Sequence, residues 1–234
     1  MSAPSRDREI RESTFCATVV YGLYRRLGKD SLRAPLRRLV LRLEGGPAVS
    51  ATIRRIFRDF YDVDVGFYTA GPCVAKPQVF HAGTTIGRYT FVADSVRTFT
   101  RNHPMNTKST HGLFYNGALG LVNMPPLKFG SLTIGHGVSI GHNAIVLPPT
   151  SQIGTGAIIA PGTVVCANIP PYALVSGFPS RVTGYRYEKP VIAEILASQW
   201  WEKSPAELDA ETPNLRRLWD RPSAPAAGAP AAAA

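Results

Sequence analysis

"TIGHGVSIGHNAIVLPPTSQIGTGAIIAPGTVV", residues 133–165, sets a branched aliphatic before a small residue at nearly even intervals. The register reads Ile134-Gly135, Ile140-Gly141 and Val146-Leu147, then, after one extra residue within "PPTSQ", Ile153-Gly154, Ile159-Ala160 and Val165-Cys166. A period of six fits neither the alternation of a strand nor the roughly 3.6 residues of a helical turn. It fits a prism-shaped coil, in which each face is a short strand with one inward aliphatic and each corner needs a small residue to turn sharply. Three faces close a coil, and successive coils stack by parallel pairing at about 4.8 Å. The spacing therefore predicts a ladder of Ile and Val along the axis. His136 and His142, each two positions after a repeat aliphatic, are expected as exposed corner residues pointing outward on neighbouring faces.

Working outward, hexads begin at Val65-Gly66, resume at Phe80-His81, Ile86-Gly87 and Val92-Ala93, and stop until Ile134. An interruption longer than about 15 residues is uncommon inside a compact domain and is often functional. Upstream, "SLRAPLRRLVLRLEGG" puts Leu32, Leu36, Leu39, Val40 and Leu43 on one helical face, with Ser31 as N-cap and Gly45-Gly46 as the stop. "SATIRRIFRDFY" repeats the pattern with Ile53, Ile56, Phe57 and Phe60. Both stripes are expected to pack inward as a cover for the first coil, because a solenoid end needs one. Downstream lie "NIPPYALVSGFPSRVTGYRY", an amphipathic stretch at Ile192, Ile195, Leu196 and Trp200, and an Ala/Pro tail expected to be disordered. The expected domains are a helical cap at 1–60, a coil at 61–187 with a projecting loop at about 98–131, a helical region at 188–220 and the tail at 221–234.

Cys16, Cys73 and Cys166 are odd in number and far apart, so they form neither a readable disulfide framework nor a zinc-ligand pair. A reducing cytoplasm suits them. The apolar run "FCATVVYGLY" is about half of the roughly 20 residues that a membrane-spanning helix needs, and mixed charges precede it, so neither a span nor an export signal is expected. Of the net charge of +10, residues 1–60 hold thirteen Lys and Arg against six Asp and Glu. Basic helices of this kind are solvated surface or dock on anionic membrane or on an acidic substrate. No nucleic-acid motif accompanies them, and no nucleic-acid partner is expected.

From about Arg54 to Trp201 the sequence resembles the hexapeptide-repeat acyltransferase superfamily. "IRRIFRDFYDVDVGFYTAG", "NHPMNTKSTHGLFYN" and "IPPYALVSGFPSRVTGYRY" are similar to segments of bacterial polysaccharide O-acetyltransferases, and "QWWEKSPAEL" is similar to the C-terminal helix of xenobiotic acetyltransferases. The resemblance implies a mainly β protein: a left-handed parallel β-helix with an N-terminal helical region, a long projecting loop and a C-terminal helix. It also implies acetyl-CoA as donor substrate, no metal, and three associated chains with each active site between neighbours.

Acyl transfer from a thioester to an alcohol needs a base for the hydroxyl proton, a stabiliser for the tetrahedral oxyanion and a track for the donor. Histidine, with an ordinary pKa of about 6.5, is the natural base near neutral pH. On residue type and position His103 and His111, both in the interruption, are the candidates; the "NHP" resemblance gives His103 the catalytic role. Asn102, Ser109, Thr110, His111 and Tyr115 are candidates to bind or orient the acceptor. On the donor side, Ala160, Pro161 and Gly162 are expected along the pantetheine arm, with backbone N–H groups near this stretch as donors, and Arg181 and Arg186 are expected as phosphate contacts. This chain departs from the family pattern in having Ala167 where a basic residue is common and Phe178 where "GNPAK" has Asn.

The implied function is acetyl transfer from acetyl-CoA to a carbohydrate hydroxyl of a polysaccharide or glycoconjugate precursor. Xenobiotic O-acetylation and serine acetylation are the neighbouring alternatives. From other classes come a non-catalytic scaffold and a carbonic-anhydrase-like metal lyase. The five histidines contain no i, i+4 or i, i+5 pair that would suit the lyase.

Overall fold

The computed structural model describes residues 9–74, 77–99, 101–102, 108–119 and 130–211. The chain opens with a single π-helical turn, Cys16–Val20, running into α1 (Tyr21–Arg26), followed by α2 (Asp30–Leu43) and α3 (Ala51–Tyr61). Among the described residues twelve short strands follow: β1 (Val63–Val65), β2 (Thr84–Ile86), β3 (Phe91–Val92), β4 (Arg97–Thr98), β5 (Leu132–Ile134), β6 (Ser139–Ile140), β7 (Ile145–Val146), β8 (Gln152–Ile153), β9 (Ile158–Ile159), β10 (Val164–Val165), β11 (Ala173–Ser176) and β12 (Arg181–Tyr185). Two helices, α4 (Lys189–Ala197) and α5 (Pro205–Ala210), end the described chain.

The strands sort into three sheets, β1-β2-β5-β8, β12-β11-β9-β6-β3 and β10-β7-β4. These are the three faces of the coil. All pairs are parallel except the closing hairpin of β11 with β12. Ile134 pairs with Ile153, Ile140 with Ile159 and Val146 with Val165, so each hexad aliphatic sits on its copy in the next coil. All six are essentially inaccessible to solvent. Where glycine follows the aliphatic, close approach requires it: a Cβ on Gly135 would lie 2.6 Å from the backbone nitrogen of Thr155 in the coil below.

The cap is fastened differently. The fully buried carboxylate of Glu44 accepts from the Ser13 and Thr52 N–H groups and from the Ser50 and Thr52 hydroxyls, at 2.6 to 3.0 Å. Arg54 donates to the carbonyls of Ala48, Ser50 and Gly66 and lies over the Phe67 ring at 4.6 Å. Burial pulls its pKa down. Since Ala48 and Gly66 flank α3, this one side chain ties the helical region to the first coil.

α3 packs as its pattern predicts, with Ser50 as N-cap and Ile53, Ile56 and Phe57 buried. α2 does not. It starts at Asp30, its N-cap Lys29 makes no side-chain bond, and its buried residues are Arg37 and Val40. Leu32, Leu39 and Leu43 are exposed. The physical reason is Arg37, whose guanidinium reaches Asp30 at 2.6 Å and the Tyr24 and Tyr61 hydroxyls and so turns a different side of the helix inward.

Candidate active site

The three corner columns of the prism have three different uses. Between faces one and two, the C-terminal segment is clamped across the stack. The ring of His136 lies on Trp201 at 4.8 Å and 9°, and its Nδ1 accepts from the Arg88 N–H at 3.1 Å. Arg88 also pairs with Glu202 at 3.0 Å, the Tyr89 hydroxyl donates to the Lys203 carbonyl, and Trp200 Nε1 donates to the Tyr172 hydroxyl. His136 is thus not a plain exposed corner residue as expected; it is half-buried, and burial lowers its pKa. His142 is exposed, as expected.

Between faces two and three the corners stay open and polar. Ser95 Oγ accepts from the Asn143 N–H at 2.9 Å and lies 3.0 Å from His142 Nδ1, while Asp94 Oδ1 is 3.4 Å from that nitrogen. One coil further along, the Gly162 N–H donates to the His142 carbonyl at 2.8 Å, and the Ala160 N–H donates to the Val175 carbonyl at 2.9 Å. This corrects one expectation. Pro161 has no N–H, and the other two are engaged in the stack, so none of the three positions offers a free donor to a pantetheine arm. What this corner presents outward is the Pro161 ring and Gly162, both exposed.

From the third column, between faces three and one, the chain leaves the coil. Thr98 pairs with Val146, the Phe99 N–H still donates to the Val146 carbonyl at 2.8 Å, and the path then departs until Leu132 resumes face one beside Thr84. Faces one, two and three carry the same register offset across the interruption: Ile86 pairs with Ile134, Val92 with Ile140 and Thr98 with Val146. The insertion therefore falls between two complete coils and disturbs neither.

His103 lies outside the described residues. Of the other acceptor-side candidates, Asn102 and Thr110 are exposed and Tyr115 is buried. His111 caps the 3₁₀ turn Gly112–Phe114: its Nδ1 accepts from the Leu113 N–H at 3.3 Å, and its own N–H donates to Ser109 Oγ at 3.2 Å. An Nδ1 that accepts a backbone N–H leaves the neutral ring's proton on Nε2. His111 therefore presents a donor outward, which suits orienting an acceptor oxygen and does not suit removing its proton.

The two arginines expected at the phosphates are separated. Arg181, exposed, pairs with Ser176 at one end of β12. Arg186, just past the other end, donates to the Gly156 carbonyl at 2.9 Å and lies between the rings of Tyr172 and Tyr187. At about 3.3 Å per residue, the strand holds them roughly 16 Å apart. Arg181 belongs with the open corner; Arg186 belongs with the clamped one. Sequence reasoning did not pick out the Asp94, Ser95 and His142 cluster. The signal was there in the equal hexad position of Asp94-Ser95 and His142-Asn143, masked by the interruption between them. Among the described residues no group of three or more His, Cys, Asp or Glu could hold a metal.

No family model matches the chain. It is 30% identical over 130 residues to a "Probable macrolide acetyltransferase" of Lysinibacillus sphaericus, covering 53% of this chain and 71% of that protein. The chain belongs to the hexapeptide-repeat acyltransferase superfamily. Another relative is a chloramphenicol acetyltransferase of Klebsiella aerogenes, 35% identical over 88 residues, which are 38% of this chain and 41% of that one. The galactoside O-acetyltransferase of Escherichia coli is 33% identical over 98 residues, 42% of each chain. The match thus spans about two fifths of the length of these two superfamily members. Among solved structures, a hexapeptide-repeat acetyltransferase of Vibrio cholerae matches with a TM-score of 0.42 at 17% identity, over 74% of this chain and 89% of that one. Superfamily membership agrees with the stacked hexads described above, and face three is the stretch of coil that joins the open corner to the point where the inserted segment departs.

Proposed function

We propose that the protein transfers an acetyl group from acetyl-CoA to a hydroxyl of a carbohydrate, a polysaccharide or glycoconjugate precursor, with His103 as general base. Acetyl transfer is supported by the 30% identity with a protein named for it, across 71% of that protein's length, and the carbohydrate hydroxyl by the 33% identity over 98 residues with a galactoside O-acetyltransferase. In this reading His103 takes the acceptor's hydroxyl proton as the oxygen bonds to the thioester carbonyl carbon. The tetrahedral oxyanion then collapses, the C–S bond breaks, and the imidazolium returns the proton to the departing thiolate. Asn102, Ser109, Thr110, His111 and Tyr115 orient the acceptor, His111 through Nε2–H. The donor lies over face three toward the open corner at Ala160, Pro161 and Gly162, with a phosphate at Arg181. Arg186 contributes by holding the closing hairpin against Gly156. The coil is left-handed, three chains associate in the cytoplasm, and neighbouring chains complete each site.

A second reading replaces the sugar by an antibiotic hydroxyl, and the macrolide and chloramphenicol relatives favour it. Thiol release from acetyl-CoA, measured against sugar, antibiotic and amino-acid acceptors, separates the two. Acceleration by a sugar, lost in His103→Ala, supports the first reading. Acceleration confined to an antibiotic supports the second. Intact thiol release in His103→Ala removes the assignment of the base.

A further inference from the structure

The helical region shows solvent a surface that the coil does not need. Phe15, Val19 and Leu23, spaced i, i+4, i+8 along the first helical segment, are exposed at 52%, 56% and 46%. Leu32, Leu39 and Leu43, spaced i, i+7, i+11 on α2, form a second exposed stripe. One apolar side chain in the open is ordinary, but two stripes on consecutive helices are not. Exposed basic residues accompany both: Arg25, Arg26 and Lys29 at the end of the first stripe, Arg38 and Arg42 beside the second. Residues 10–43 hold two acids, Asp30 and the exposed Glu12, and Asp30 is already held by Arg37, which keeps its carboxyl below the usual range.

We infer that residues 10–43 form a docking surface for a membrane whose headgroups are anionic. Apolar side chains flanked by Lys and Arg are the pattern of helices that lie in the headgroup plane, where leucines enter the acyl boundary and guanidinium groups meet lipid phosphates. Charge decides against a symmetric pairing of this surface with its own copy. A second copy of this surface would set one basic cluster on another. The remainder of the chain is also net basic, since the whole chain carries +10 and residues 1–60 account for +7; its acidic stretch, residues 188–211 with six Asp and Glu against two Lys, already spends Glu202 on Arg88 and Glu211 on Lys203. No described helix is long and apolar enough to cross a membrane, so the contact is peripheral. This surface is separate from face three and stands whether or not the proposed acetyl transfer does.

The test is co-sedimentation of the full chain with phosphatidylcholine vesicles, with and without phosphatidylglycerol, across a salt series. Saturable binding is expected only with phosphatidylglycerol and is expected to weaken as salt rises. Arg38→Ala and Arg42→Ala should each weaken it about fivefold; Val19→Ser and Leu39→Ser should weaken it at every salt concentration. All four positions are exposed, and an unchanged melting temperature shows that the fold is intact. Three results overturn the inference: no binding to phosphatidylglycerol vesicles, binding that none of the four substitutions alters, or concentration-dependent self-association that Leu39→Ser abolishes while vesicles are ignored.

Discussion

The helical region sets an inaccessible carboxylate, Glu44, beside its apolar core of Tyr24, Val40, Ile53 and Phe57; the axis of the coil is a column of aliphatics such as Ile140, Ile159 and Val175. Glu44 and Arg54 act by direction: each binds particular N–H, hydroxyl or carbonyl groups drawn from several turns of chain, so their replacement leaves partners stranded. The coil acts by repetition, and each rung touches mainly the rungs above and below. A region that does not repeat needs directional contacts to fix its geometry; a region that repeats gets its geometry from the register.

The comparison breaks most sharply at Glu44. Glu44→Ala orphans the buried Thr52 N–H and the half-buried Ser13 N–H and should cost about 4 kcal/mol. Denaturant unfolding measures this, and a loss of under about 1 kcal/mol would mean that water replaces the carboxylate and the cap is not directional. Ile140→Ala should cost about 3 kcal/mol, with Ile140→Val costing roughly 1 kcal/mol, because a rung that acts by volume tolerates a smaller aliphatic. Gly135→Ala should cost about 2 kcal/mol, as the coil must shift to admit a Cβ against Thr155; an unchanged midpoint would show the stack to be looser than its register implies.

The smallest effect concerns pH. The folded pKa of His136 is depressed by burial against Trp201, so below the ordinary value of about 6.5 the unfolded chain takes up a proton that the folded chain refuses. Stability contributed by the C-terminal clamp should therefore be constant above about pH 6.5 and fall as pH drops from there toward the lower folded pKa. Protonation also ends the Arg88 N–H bond to Nδ1. Glu202, which favours the charged ring, and Arg88, which opposes it, both face the site. Tryptophan fluorescence across this range is the measurement, and His136→Gln should flatten the profile.

Much of the coil was legible because a hexad states its own structure: the aliphatic is buried, the next residue is small on two of the three faces, and pairing partners lie one coil apart. The helices were legible where a single apolar stripe exists, as at Ile53, Ile56 and Phe57. On α2 two readings compete, since Leu32, Leu39 and Leu43 look as ready to pack as Val40 does. A buried arginine, Arg37, with a remote tyrosine partner at Tyr61 decides between them, and no local pattern announces it. His136 was misplaced for a similar reason, because the indole that covers it comes from Trp201, far away in sequence. On the site, residue type singled out His111, but only geometry shows that its Nδ1 is occupied.

The equal register offset across the interruption has an evolutionary consequence. Because the inserted segment starts and ends at the same edge of two finished coils, its ends are held together by strands that exist without it. Its length adds little to folding free energy, about 0.6 kcal/mol for each doubling. Such a loop is an exchangeable attachment on a fixed mount: whatever it recognises can be rewritten, lengthened or replaced without any rung of the core having to change.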